Sequence, residues 1–208
     1  MATSVEPAPS ILLFLKAPVP GTVKTRIART LGDKKATAIY RALVERQLAN
    51  VPQSWHVEIH FSPAGSGDEM RGWLGNQFHY EPQSSGDLGE RLLCGIHSAF
   101  DRGATATFAI GGDCPNLQVS HFLQARERLT EGNDVVFGPA VDGGYYLIAA
   151  KQPFPVLFRS IAWSTSTVLE KSLQAAHSAN LSTALLSVEN DIDEAADWER
   201  IQDQFPRV

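Results

Sequence analysis

Five apolar residues in a row, Ile11-Leu12-Leu13-Phe14-Leu15, constrain this 208-residue chain more than any other feature. Successive side chains of a strand point to opposite faces, so an unbroken apolar run has to be buried on both. That requires helices on each side of a sheet, the usual setting of parallel strands. The run stops at Lys16-Ala17-Pro18-Val19-Pro20-Gly21, a loop by its prolines and glycine. Beyond it, helix-like and strand-like segments alternate. Helices are predicted at about 34–49, up to 100 from the Gly86–Arg91 loop, at 119–129, from Trp163-Ser164-Thr165 to about 176, and after Asp193 to about 204. Strands are predicted at 57–61, 78–81, 105–110, 134–137, 145–149 and 184–188. This order implies an α/β sandwich with a mainly parallel sheet.

The length suits one domain over 11–208, below the size at which cores usually divide. Residues 1–10 read as a disordered or extended polar lead. A formal charge of -5 argues against broad nucleic-acid binding, which needs a basic face. The apolar run at 11–15 is too short for a signal core or a membrane span, so a cytoplasmic protein is expected. Cys94 and Cys114 form no CxxC pair and are expected reduced and at least partly buried. Assembly into a homo-oligomer is left open.

In parallel sheets ligands sit at the carboxyl ends of the strands, and the unusual loops follow strand-like runs. Lys16, Lys24 and Arg26 surround Pro20-Gly21, a combination suited to a polyphosphate; the alternative is a solvated turn with surface lysines. It is not a P-loop, because Val23 precedes the lysine. Gly111-Gly112-Asp113-Cys114-Pro115 ends a strand with a single acid. Asp113 can hold Mg²⁺ or Mn²⁺ between phosphates, with the glycines admitting a ligand close to the backbone, or it can cap the next helix. In Asp191-Ile192-Asp193 two acids share one face. Asp191 is read as a second metal ligand and Asp193 as the N-cap of the last helix. Asp142, with Gly143, Gly144 and Tyr145, either contacts an acceptor or stays within a turn. The loop containing Asp87, Leu88 and Gly89 either faces a nucleobase or is a helix N-terminus with acids in its first turn. Trp163-Ser164-Thr165 reads as a staple and N-cap. His56 and His60 share a strand face without an acid or cysteine at ligand spacing. No Gly-x-Ser-x-Gly elbow supports a hydrolase triad.

Together, Phe14–Arg26, Gly86–Arg91, Gly111–Pro115, Gly138–Tyr146, Trp163–Thr165 and Asp191–Asp193 resemble, in that order, a family of small bacterial proteins described as GT-A-type glycosyltransferases of unassigned substrate. These are similar in turn to molybdenum-cofactor and 2-phospholactate guanylyltransferases. The resemblance runs from about Ile11 to Phe205. It implies the nucleotide-diphospho-sugar transferase fold, a Rossmann-like three-layer α/β/α sandwich. By that similarity Lys24 and Arg26 match the phosphate-binding loop, Asp113 the metal-binding acid and Asp191 the acid that completes the metal site. Gly86–Gly89 matches a base- or ribose-facing segment, and Asp142–Tyr145 the acceptor side. The partners implied are a nucleotide or nucleotide-sugar donor and a small acceptor, with Asp113, Lys24 and Asp142 carrying the chemistry. Gly111 stands where an Asp-x-Asp motif has its first acid, which weakens sugar transfer relative to nucleotidyl transfer. Glycosyl transfer, nucleotidyl transfer and a non-catalytic nucleotide-binding module therefore remain three readings. Asp113 and Asp191 are expected to converge at one edge of the sheet, and Lys24 and Arg26 to face the same pocket as Asp113.

Overall fold

A computed structural model describes residues 8–205 and 208. Seven strands form one sheet: β1 (Ser10–Lys16), β2 (His56–Ser62), β3 (His79–Pro82), β4 (Thr107–Ile110), β5 (Val135–Pro139), β6 (Tyr145–Ala150) and β7 (Thr183–Leu185). Their spatial order is β3-β2-β1-β4-β6-β5-β7. Every pairing is parallel except those of β6 with β4 and β5. The exception has a local cause: a turn of a few residues between β5 and β6 is too short for the crossover a parallel return requires. Residues 8–10 are tied to the sheet rather than to a lead: Ser10 opens β1, and Pro9 accepts from the His56 N–H at 3.1 Å. Residues 1–7 of that lead lie outside the described residues.

The apolar run at β1 divides as its period demands. Ile11, Leu13 and Leu15 join a core with Ile59, Phe108, Ile110 and Phe122 on one side of the sheet. Leu12 enters a second core on the other, with Ala109, Phe137, Ile148 and Leu92. Helices α1 (Thr25–Leu31), α2 (Asp33–Ala49), α3 (Gly67–Leu74), α4 (Leu88–Asp101), α5 (Val119–Thr130), α6 (Val168–Ser178) and α7 (Ala195–Glu199) complete the layers. Two of them have no counterpart in the sequence pattern. α1 buries only Ile27, and α3 carries two glycines while burying Met70 and Leu74. The last helix is shorter than predicted: α7 ends at Glu199 and a 3₁₀ turn follows at Gln202–Gln204.

A third apolar cluster positions the site. Ile27 of α1, Ile39 and Leu43 of α2, and Ile192, Trp198 and Phe205 pack together. The segment 191–193 belongs to no strand, yet Ile192 is buried in this cluster and its N–H donates to the Asp113 carbonyl at 3.0 Å. With Ile192 turned into the core, the acids on either side of it both reach the cleft at the sheet edge.

Candidate active site

The carboxyl ends of β1, β4, β5 and β7 and the amino end of β6 meet at one edge of the sheet. From β1 the chain connects outward to β2, whereas β4 lies on the other side of β1, so this edge holds the switch point where α/β sheets bind ligands. A cleft of about 550 Å³ opens beside it. Arg26, Asp142, Tyr145, Trp163, Asp191 and Asp193 stand in its wall.

Lys24 is held most tightly. Its backbone adopts the left-handed conformation (φ 47°) where the loop turns into α1. Its side chain is only 5% exposed, with Nζ 2.7 Å from Asp113 Oδ1 and 3.3 Å from Asp193 Oδ1. The ammonium also donates to the Ile192 carbonyl. Burial works against its charge, but Asp113 and then Asp193 overcome this and hold its pKa above the ordinary lysine value. Arg26 lies at 3.5 Å from Asp193 Oδ2 with its side chain 64% exposed. Lys16, at the end of β1, and Pro20 and Gly21, in the loop that follows it, are exposed and outside the cleft wall. Asp113 keeps 44% of its side chain exposed. It caps nothing, because α5 begins at Val119 behind Gln118.

Asp191 lies among acids. Burial first, then the charges of Asp113 and Asp142, push its carboxyl up to about 7; Lys24 opposes the rise and Asp193 adds to it. Asp193 departs from the N-cap expected of it. The cap of α7 is Glu194, whose N–H donates to Asp197 at 2.9 Å, which leaves Asp193 free to pair with Lys24 and Arg26. Asp142 is both a turn residue and part of the cleft: Oδ1 accepts from the Gly144 N–H at 2.8 Å.

Packing alone accounts for three of the glycines. A Cβ on Gly112 would meet Val44 at 2.8 Å and Leu15 at 3.0 Å, so it faces the core, whereas Gly111 lines the cleft. Gly143 (φ 89°) lets the β5–β6 turn sit against the Ser166 carbonyl, and its own carbonyl accepts from Leu169 N at 3.0 Å. Gly89 leaves room for the Trp163 indole. Beside it, Asp87 is the N-cap of α4, accepting from Glu90 N at 2.9 Å, while Leu88 reaches the cleft.

The segment Trp163–Ser166 also lines the cleft, and the sequence reading missed it. Instead of starting a helix at Thr165, the chain passes through a left-handed Ser164 (φ 63°) and α6 begins at Val168. A tryptophan followed by four hydroxyl residues, Ser164 to Thr167, was the available signal. Tyr145 packs against Trp163 edge-on at 6.4 Å.

A second polar cluster lies on β2 and β3, contributing nothing to the cleft wall. Glu58, His79 and Glu81 have metal-ligand spacing. Arg102 already supplies the cation: its guanidinium pairs with Glu58 and, at 2.9 Å, with Glu81. Glu58 is also the acid that the sequence reading did not pair with the strand histidines, 3.3 Å from His60 Nε2. Burial would raise the Glu58 pKa, but hydrogen bonds from His60 and Arg102 hold it below the usual carboxylate value. Both cysteines are free. Cys114 is buried, its thiol pushed up to about 12 chiefly by burial, whereas Cys94 is exposed, contrary to expectation.

The order and direction of the strands, with the site at the switch point, define the nucleotide-diphospho-sugar transferase fold. A protein from Desulfovibrio desulfuricans G20, provisionally assigned as a nucleotide-diphospho-sugar transferase, superposes with a TM-score of 0.88 at 31% identity, over 96% of this chain and 87% of that one. Residues 46–165 match the family described as "Uncharacterized protein conserved in bacteria (DUF2064)", and the chain belongs to that family. Two more distant structures share the fold. CMP:2-keto-3-deoxy-manno-octonic acid synthetase complexed with CTP has a TM-score of 0.60 at 11% identity, over 96% of this chain and 99% of that one. A Mycobacterium tuberculosis H37Rv protein in complex with manganese has a TM-score of 0.51 at 12% identity, over 93% and 98%. No curated protein matches the chain. No helix among the described residues is long and apolar enough to cross a membrane.

Proposed function

We propose that this protein transfers a sugar from a nucleotide-sugar donor to a small acceptor, with a divalent cation. The observation that carries the reading is the gathering of Asp142, Asp191 and Asp193 around one cleft, with Asp113 joined to them through Lys24. Oxygen-only donors with excess negative charge fit Mg²⁺ or Mn²⁺. Burial first, and then the charges of Asp113 and Asp142, raise the Asp191 carboxyl despite Lys24, which leaves negative charge for a cation to offset. Asp113 and Asp191 would hold the ion, which when bound would neutralise charge on the donor's phosphate oxygens.

The chain's own residues do the rest. Arg26, exposed at the cleft wall, binds the donor phosphates. The cleft runs on to Asp142, Tyr145 and Trp163, giving a sugar and an acceptor a wall beyond the acids. Leu88, at the mouth of α4, offers an apolar face to the base. Asp142 commits Oδ1 to the Gly144 N–H, which leaves Oδ2 for the acceptor hydroxyl. As the acceptor oxygen bonds to the anomeric carbon, Asp142 takes its proton and the nucleoside diphosphate leaves with the electron pair.

Nucleotidyl transfer is the second reading, favoured by Gly111 in place of a first acid. A triphosphate would need a strong positive field, yet Arg26 is the only cation in the cleft wall among the described residues. Incubation with sugar nucleotides or the four NTPs, with Mg²⁺ or Mn²⁺ and candidate acceptors, separates the readings. Metal-dependent release of nucleoside diphosphate is expected. Pyrophosphate release from an NTP with a phosphorylated acceptor, without turnover of any sugar nucleotide, selects the second reading. Nucleotide binding without either product makes the protein a binding module.

A further inference from the structure

We infer that the Lys24 ammonium holds the place of the divalent cation: the two compete for Asp113, and metal binding there expels Lys24 from between Asp113 and Asp193. The inference rests on the metal-dependent reading above.

An ammonium has three N–H donors. Those of Lys24 face three oxygens: Asp113 Oδ1 at 2.7 Å, Asp193 Oδ1 at 3.3 Å and the Ile192 carbonyl. Two carboxylates and a backbone carbonyl are the donor set a hard cation takes. With 5% of its side chain exposed, Lys24 is a buried charge held by these oxygens, unlike neighbouring Arg26 at 64%. A dication on the Asp113 carboxylate would put two further positive charges against an ammonium that little solvent screens. The least costly relief is for the ammonium to leave. Lys24 stands where the exposed Val19-Pro20-Gly21 turn meets α1, so its side chain can swing out without disturbing the sheet.

In this arrangement the protein carries its own counter-cation until the metal arrives. Arrival then frees a positive charge beside the place where the ion and the donor phosphates meet. Lys24 is thus a positioning residue in the metal-free protein, keeping Asp113 and Asp193 together.

Metal-free protein titrated with Mn²⁺, with free ion followed by electron paramagnetic resonance, tests the competition without any turnover. Lys24→Met should bind Mn²⁺ at least tenfold more tightly than wild type. Arg26→Met should change affinity less than threefold, because Arg26 touches Asp193 but not Asp113; a mere loss of nearby positive charge would move both variants alike. In wild-type protein, the ¹H–¹⁵N signal of the Lys24 ammonium should be protected without metal and vanish on saturation with Mg²⁺, a readout that survives misfolding of either variant. Ion binding with equal affinity in wild type and Lys24→Met, and an unchanged Lys24 signal, overturns the inference and leaves the metal-dependent reading intact. Failure of wild type and both variants to bind the ion overturns both.

Discussion

Replacing Asp191 by asparagine should make the metal-free protein more stable at neutral pH. A carboxyl moved from 3.8 to about 7 on folding favours its neutral form in the native state. Its contribution is complete below the unfolded value near 4 and is lost as pH rises toward 7. A shift of one pKa unit corresponds to 1.36 kcal/mol, so the full cost above pH 7 has an upper bound of about 4 kcal/mol. Asp113 lies half in solvent, which screens part of the repulsion, and about 2–3 kcal/mol between pH 4.5 and 8 is the working figure. Urea unfolding of wild type and Asp191→Asn in EDTA, at half-unit steps across that range, gives the difference directly. The two curves should lie closest at pH 4.5, converging fully only below about pH 4, and separate toward pH 8, with the variant the more stable. Added Mg²⁺ should narrow the gap by neutralising the acids. A constant difference at all pH values, or a variant less stable at pH 8, would refute the argument that burial and neighbouring acids raise the Asp191 carboxyl on folding.

Three other outcomes are expected. Arg26→Ala should weaken donor binding by about 1.5–3 kcal/mol, the range for a hydrogen bond to a charged group, measured by calorimetry with the fold checked by circular dichroism. Asp142→Asn should cut turnover at least a hundredfold with donor affinity unchanged, since general-base catalysis is worth about that much; an unaffected rate makes Asp142 a turn residue alone. Arg102→Met should destabilise the fold by about 2–3 kcal/mol at pH 7, less than for a fully buried pair because Arg102 is 37% exposed. Since Arg102 holds the Glu58 pKa low, that loss should shrink as pH falls below about 4.

The sheet was legible because burial on two faces leaves a direct trace, as in Ile11–Leu15, where alternate residues enter opposite cores. The helices that escaped notice escaped for a physical reason. α1 buries a single residue, so it has no apolar stripe to display, and the glycines of α3 read as loop. At the site, the sequence could nominate Asp113, Asp142 and Asp191 by their positions after strand-like runs. It could not show that Asp193 turns from its helix to pair with Lys24, because that depends on Glu194 taking over the cap. Nor could it show that Gly112 and Gly143 are glycines for packing, since the groups that crowd them, Val44 and Ser166, are distant in the chain. The cleft wall at Trp163–Ser166 follows no strand, so a search restricted to strand ends passes over it.

Anchorage of Ile192 in the cluster of α1 and α2 has a consequence for how the protein is made. Lys24 and Asp193 stand 169 positions apart. A ribosome emits the basic loop early, and the strands that form the sheet follow, but the acids that complete the cage emerge only after β7. A nascent chain can therefore carry a nearly finished sheet and still lack the acids of the candidate site. For the same reason a cut before Asp191 would leave the strands in place while removing Asp191 and Asp193 together with Ile192, the residue that ties them to the body of the protein.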